Sequence, residues 1–128
     1  MRVFKTRVFS RWARREGLAD PSLCEAVSEM LQGLVDAQLG GGVVKKRVAR
    51  AGQGKRGGYR TILATNLGDR WFFMFGFAKN ERDNIGDDEL KMLKQLAAAL
   101  LGMDAPAIAE AKKRSELVEI DCGKQETA

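Results

Sequence analysis

The chain has 128 residues, 45% of them apolar and 30% charged, so it is long enough to bury one core and too apolar to be wholly disordered. Its 22 Lys and Arg against 17 Asp and Glu give a net charge of +5, a balance that favours acidic partners. Histidine is absent, which excludes a Ser-His-Asp triad, a histidine-ligated metal and a histidine general base.

Arg2–Lys5 reads as a short first strand. Thr6 is placed to cap a helix that carries Phe9, Trp12 and Ala13 on one face and ends at Gly17. The N-terminal segment is basic but lacks the apolar stretch of a secretory signal. Asp20-Pro21 predicts a second helix, with Asp as N-cap and Pro at the first helical position. Leu23, Val27, Met30, Leu31 and Leu34 recur at helical spacing and carry it to about Gln38, where Gly40-Gly41-Gly42 stops it. Val43–Ala49 is a strand bearing basic residues, followed by a glycine-rich loop and a β-branched strand, Tyr59–Thr65. The turn Asn66-Leu67-Gly68-Asp69 pairs that strand antiparallel with Arg70–Lys79.

This last strand holds Trp71, Phe72, Phe73, Phe75 and Phe77, five of the nine aromatics, and its two apolar faces predict a central strand covered on both sides. Its apolar run is far short of the ~20 residues that span a membrane. Gly86 with Glu89 is half of a capping box, opening a helix with Leu90, Leu93, Ala97, Leu100 and Leu101 inward and ending near Gly102. A further helical pattern runs from Pro106 to about Ser115, and Leu117–Ile120 reads as an edge strand. The expectation is a single α+β domain over residues 1–122: an antiparallel twisted sheet with the N-terminal helices on one side and a C-terminal helix. Residues 123–128 are expected to form a mobile tail. Cys24 and Cys122 match no metal or redox spacing and are expected to be free thiols in a reducing cytoplasm.

The positive charge is concentrated. Residues 1–16 carry six bases and one acid, and residues 17–44 four acids and no base. Lys45, Lys46, Arg47, Arg50, Lys55, Arg56 and Arg60 then follow with no acid among them. Seven cations so close repel one another unless an anion is their neighbour, and nucleic acid is such a neighbour. Gly52, Gly54, Gly57 and Gly58 allow backbone N–H groups to approach phosphate. A Walker-type reading of Gly52-Gln53-Gly54-Lys55 fails, because the GxxxxGK[ST] spacing is missing.

Hairpin pairing about residues 66–69 sets Arg60 within a few positions of residues 75–79, so Lys55, Arg60, Lys79 and Arg82 converge on one rim. Such a cluster suits RNA self-cleavage, in which a 2′-hydroxyl attacks the adjacent phosphorus: arginine stabilises the phosphoryl charge, and lysine moves protons without histidine. Lys45, Lys46, Arg47, Arg50, Arg56 and Arg82 are the expected RNA-binding residues. Tyr59 either joins them by stacking on a base or belongs to the core.

At these residues the sequence resembles a family. KRVARAGQGKRGGYRTILA followed by FFMFGFAKNERDNIGDDEL looks like the RelE/HigB superfamily of bacterial toxins, over roughly residues 43–96, and within it the HigB-like branch of RelE translational repressors. The resemblance implies a RelE-like fold and a ribosome-dependent mRNA endoribonuclease that cuts message in the ribosomal A site. It further implies no metal or cofactor, and a cognate antitoxin, typically a helix-turn-helix DNA-binding protein. Carried over by position, Arg60 is the phosphate-stabilising arginine, Lys55 a base of the preceding loop, Lys79 the lysine opening the second motif and Arg82 a further basic position. The RelE branch has a second arginine where this chain has Asn80 and a tyrosine where it has Gly86, which shifts the chemistry onto Lys55, Arg60 and Lys79. A non-catalytic basic RNA- or ribosome-binding module and a ParE-like gyrase inhibitor are the alternative readings.

Overall fold

The computed structural model of the protein describes residues 1–50 and 54–122, with the backbone alone for residues 54–57. The expected mobile tail, residues 123–128, lies outside the described residues, as do the side chains of Lys55 and Arg56. The elements run β1 (Arg2–Thr6), α1 (Arg7–Glu16), α2 (Asp20–Leu31), β2 (Ala37–Gly40), β3 (Val43–Arg50), β4 (Gly54–Thr65), β5 (Arg70–Ala78), α3 (Asp87–Leu101), α4 (Ala105–Lys113) and β6 (Leu117–Ile120). They build a six-stranded sheet in the order β2-β3-β4-β5-β1-β6. The fold is α+β, as the sequence predicts, with one departure from an all-antiparallel sheet. β1 inserts between β5 and β6 and runs parallel to β5, with Val3 opposite Trp71 and Lys5 opposite Phe73.

Helices cover both faces of this sheet. Phe9 and Trp12 of α1, with Leu23 and Val27 of α2, pack on Leu63, Trp71 and Phe73 on one side. On the other, Ala97 and Leu100 of α3 and Ile108 of α4 pack on Phe4, Ile62, Phe72 and Met74. β5 is therefore buried on both faces, which is why its aromatics need no alternation. Gly76 is required there, because a Cβ would stand 2.3 Å from the Trp12 ring.

Thr6 caps α1 as predicted, accepting a hydrogen bond from the Phe9 N–H at 3.2 Å, and Gly17 closes the helix in the left-handed region. The N-cap of α2 is Ala19 rather than Asp20, whose carboxylate instead receives Lys5 Nζ at 2.8 Å. α2 also stops at Leu31, well before Gln38. Gly33 takes φ +93°, Leu31 and Leu34 face solvent, and Ala37–Gly40 pairs with β3 across the glycine turn. The glycine run is thus a hairpin turn, not a helix stop. Finally, Cys24 and Cys122 are not free thiols. Packing of α2 beside the end of β6 brings their Cα atoms to 5.6 Å, and a disulfide joins them.

Candidate functional site

The β4–β5 hairpin forms in the predicted place, and its register sets the site. Arg60 pairs with Phe77 across β4–β5 and with Arg47 across β3–β4. Side chains at paired positions share a face, so Arg47, Arg60 and Phe77 form one row across three strands. Lys45, Ile62 and Phe75 form the next row toward α3. Beyond Arg60, the Lys79 N–H reaches the Gly58 carbonyl at 3.2 Å, which sets exposed Lys79 at the open end of the same face. Arg60 and Phe77 of this row are themselves buried.

Gly58 shapes the approach to this row. A Cβ there would stand 2.3 Å from the Val48 carbonyl oxygen, beside the register shift between Val48 and Arg50. The motif glycine is therefore needed for close strand contact.

Arg60 is buried, 8% exposed, and among the described residues its Nη1 has no hydrogen-bond partner. Burial lowers its pKa from the ordinary arginine value and the like charge of Arg47 adds to this, while Asp36 opposes. The group nonetheless stays charged at any physiological pH. Arg47 is more exposed and engaged: Asp36 accepts its backbone N–H at 2.6 Å and its Nε at 2.9 Å. Burial works against ionisation of Asp36, but the Arg47 N–H and guanidinium, with Lys46, outweigh it and hold the carboxyl below its usual range. Arg82 lies over the Phe77 ring at 5.3 Å and the Phe75 ring at 5.9 Å. It is also bound by Glu89, at 3.1 Å from Nη1 to Oε2, and the same carboxylate accepts the Gly86 N–H that opens α3.

The structure thus brings Lys45, Arg47, Arg60, Lys79 and Arg82 to one face and removes three of the expected residues from it. Lys46 points to the α2 side, 3% exposed, with its Nζ 2.8 Å from Glu29 and 2.8 Å from the Leu34 carbonyl. Its charge is engaged at the end of α2 and in the α2–β2 connection. Tyr59 is a core residue, 2% exposed, in edge contact with Trp12 and donating its hydroxyl to the Glu16 carbonyl. Arg50 lies over the Tyr59 ring on that same side.

Asp36, Glu89 and Phe77 complete the site, and only Glu89 stands out in the sequence, as a cap. The hairpin register was the available signal for Phe77, since counting from the turn puts it opposite Arg60. Asp36 carries no such signal, because the helical spacing of Leu31 and Leu34 runs on toward Gln38.

Fold and site together define a small α+β domain that gathers cations at one end of a sheet face. The family model for the RelE toxin of the RelE/RelB toxin-antitoxin system matches residues 1–120, and the chain belongs to the RelE toxin family. Toxins of this family generally cleave mRNA, inhibit translation and pair with an antitoxin. Compared with curated proteins, the chain has no match. Among the described residues, no helix is long and apolar enough to cross a membrane.

Proposed function

We propose that the chain is a ribosome-dependent mRNA endoribonuclease of the HigB-like branch, acting in the cytoplasm without a metal. The observation that carries this reading is Arg60, a buried guanidinium whose Nη1 has no partner among the described residues. A buried N–H left unpaired costs roughly 1–3 kcal/mol, a cost that makes sense where the donor serves a ligand oxygen.

In the proposed reaction the 2′-oxygen attacks the adjacent phosphorus and loses its proton, while the 5′-oxygen leaves and gains one. The products are a 2′,3′-cyclic phosphate and a 5′-hydroxyl. Arg60 holds the non-bridging oxygens as their charge grows. Lys79 just past β5 and Lys55 at the start of β4, which begins at Gly54 rather than at Tyr59, serve proton transfer. Lys45, Arg47 and Arg82 hold neighbouring phosphates, and Arg56 is assigned to the same task from its sequence position. Phe77 offers an apolar floor under the Arg82 guanidinium. The message is presented in the ribosomal A site, and a helix-turn-helix antitoxin is the partner that keeps the toxin silent.

Induced expression in a bacterium tests this. The wild-type chain arrests growth and translation, and Arg60→Ala relieves both while leaving the protein folded. Full arrest by the Arg60→Ala, Lys55→Ala double variant would rule out the catalytic assignment.

A further inference from the structure

The Cys24–Cys122 disulfide takes no part in the proposed cleavage, and its chemistry sits uneasily with a cytoplasmic protein. Disulfides in a reducing cytoplasm are usually transient bonds that form and break with the redox state. These are the only two cysteines in the chain, so oxidation has one intramolecular disulfide as its product. Cys24 lies in α2 and Cys122 just past β6, 98 residues apart, and the fold brings their Cα atoms to 5.6 Å, within bonding range.

The bond closes on a weakly held strand. β6 has four residues, lies at the sheet edge and pairs only with β1. Leu117 and Ile120 are buried, but Val118 is 38% exposed. Glu119 reaches Arg2 and Lys112 in part-exposed ion pairs, which stabilise modestly. Short edge segments with few buried side chains open locally before the whole molecule unfolds. The pairing with β1 ends at Ile120 opposite Val3, and two residues later the disulfide pins the strand end to α2.

The bond is also within reach of a reductant. A groove of about 400 Å³ is lined by Met1, Val3, Glu119, Ile120, Asp121 and Cys122. Cys122, not Cys24, lines it, so a thiolate entering here attacks the Cys122 sulfur. In reduction by a dithiol protein, the S–S bond breaks and Cys24 leaves as a thiolate that takes up a proton. The second thiol of the reductant then displaces Cys122, and the reductant departs as a disulfide. Hydrogen peroxide closes the bond again: it oxidises one thiol to a sulfenic acid with release of water, and the other thiol displaces a second water as sulfur bonds to sulfur.

We propose that Cys24–Cys122 is a reversible redox latch on β6 that controls how readily the protein is proteolysed. Closed by an oxidant, the latch holds the end of β6 to α2. Opened by a dithiol reductant, it lets β6 separate from β1 and expose the chain to cutting. The Arg60 face lies across the sheet from the bond and is the same in both states. This rests on the cytoplasmic placement above and not on the cleavage chemistry.

Two measurements test the latch. After brief induction of the full chain in bacteria, acid quenching and maleimide labelling should find both cysteines labelled in unstressed cells and neither labelled within minutes of adding hydrogen peroxide. The purified full chain should be cut by subtilisin about tenfold faster or more when reduced with a dithiol than when oxidised, first between Arg114 and Cys122. Cys24→Ser with Cys122→Ser should match the reduced chain in either condition; if that variant does not fold, the reduced wild type decides alone. Cysteines bonded in unstressed cells overturn the latch in favour of a permanent brace, and cysteines still labelled after peroxide overturn it as well. Equal cutting of the two states, or a first cut elsewhere, overturns β6 as the element the bond controls. Each of these results leaves the message-cleavage reading standing, and failure of that reading leaves the latch intact.

Discussion

Arg47 and Arg60 face one another in the β3–β4 register, yet their surroundings give them unequal tasks. Asp36 neutralises Arg47 through two hydrogen bonds, while Arg60 is buried with a nitrogen that has no partner among the described residues. A donor aimed at charge that develops in the reaction is worth about 10²–10³-fold in rate, whereas a phosphate-positioning charge already shared with a carboxylate contributes less. Arg60→Ala is therefore expected to lower single-turnover cleavage of ribosome-bound message by about 10²–10³-fold, and Arg47→Ala by roughly tenfold at most. Arg60→Lys should not restore the rate, because an ammonium cannot present the planar fork. Equal losses at Arg47 and Arg60 would contradict this division of roles.

Among the elements, the β4–β5 hairpin was readable because its pairing is local: a turn, two β-rich runs and a count from the turn bring Arg60 to the end of β5. The faces were less readable. A register shift between Ile62 and Leu63 turns Met74 and Phe75 together toward α3, which sets Phe77 on the Arg60 face. With aromatics on both sides of β5, the sequence shows no trace of that change of phase. β1 and β6 depend on contacts across most of the chain. Arg2 donates to Glu119 through Nε at 2.9 Å and Nη2 at 3.0 Å, and Lys112 adds a third contact at 2.7 Å.

The hydrogen bonds from Arg2, helped by Lys112 and the charges of both and opposed by burial, lower the Glu119 pKa from 4.5 to about 2. An unfolded chain binds this proton at higher pH than the folded one. The stabilisation is therefore complete above about pH 4.5 and lost as the pH falls toward 2. Glu119→Gln should cost about 1 kcal/mol at neutral pH, after discounting for the exposure of Arg2. It should also flatten the loss of stability between those pH values, as read by denaturant unfolding across an acid series. An unchanged acid profile would show that the pair does not hold the sheet edge.

For the whole molecule, the sequence conveyed the class of fold and the Arg60 rim but missed what distant segments do to one another. β2 was hidden because Leu31 and Leu34 continue a helical period past Gly33, and only pairing with β3 decides otherwise. Lys46 reads as a surface residue, and Tyr59 as either core or surface, until α1 and α2 cover their side of the sheet. The cysteines, 98 residues apart, meet only after α2 and β6 have packed. Closing so long a loop contributes about 2–4 kcal/mol, so reduction, or Cys24→Ser with Cys122→Ser, should lower Tm by roughly 10 °C. The cysteines belong to the core beneath α1 and α2, across the sheet from Arg60, so the reduced protein should keep its cleavage activity. Loss of cleavage with no change in Tm would contradict this separation.

The central claim is that cations on this face cut message on the ribosome. Mapping the 5′ ends of cellular messages during induction tests it most directly. The account predicts new 5′-hydroxyl ends phased with the reading frame in the wild type, absent with Arg60→Ala and absent when translation initiation is blocked. Translational arrest without new ends, or identical ends from the Arg60→Ala protein, would contradict it.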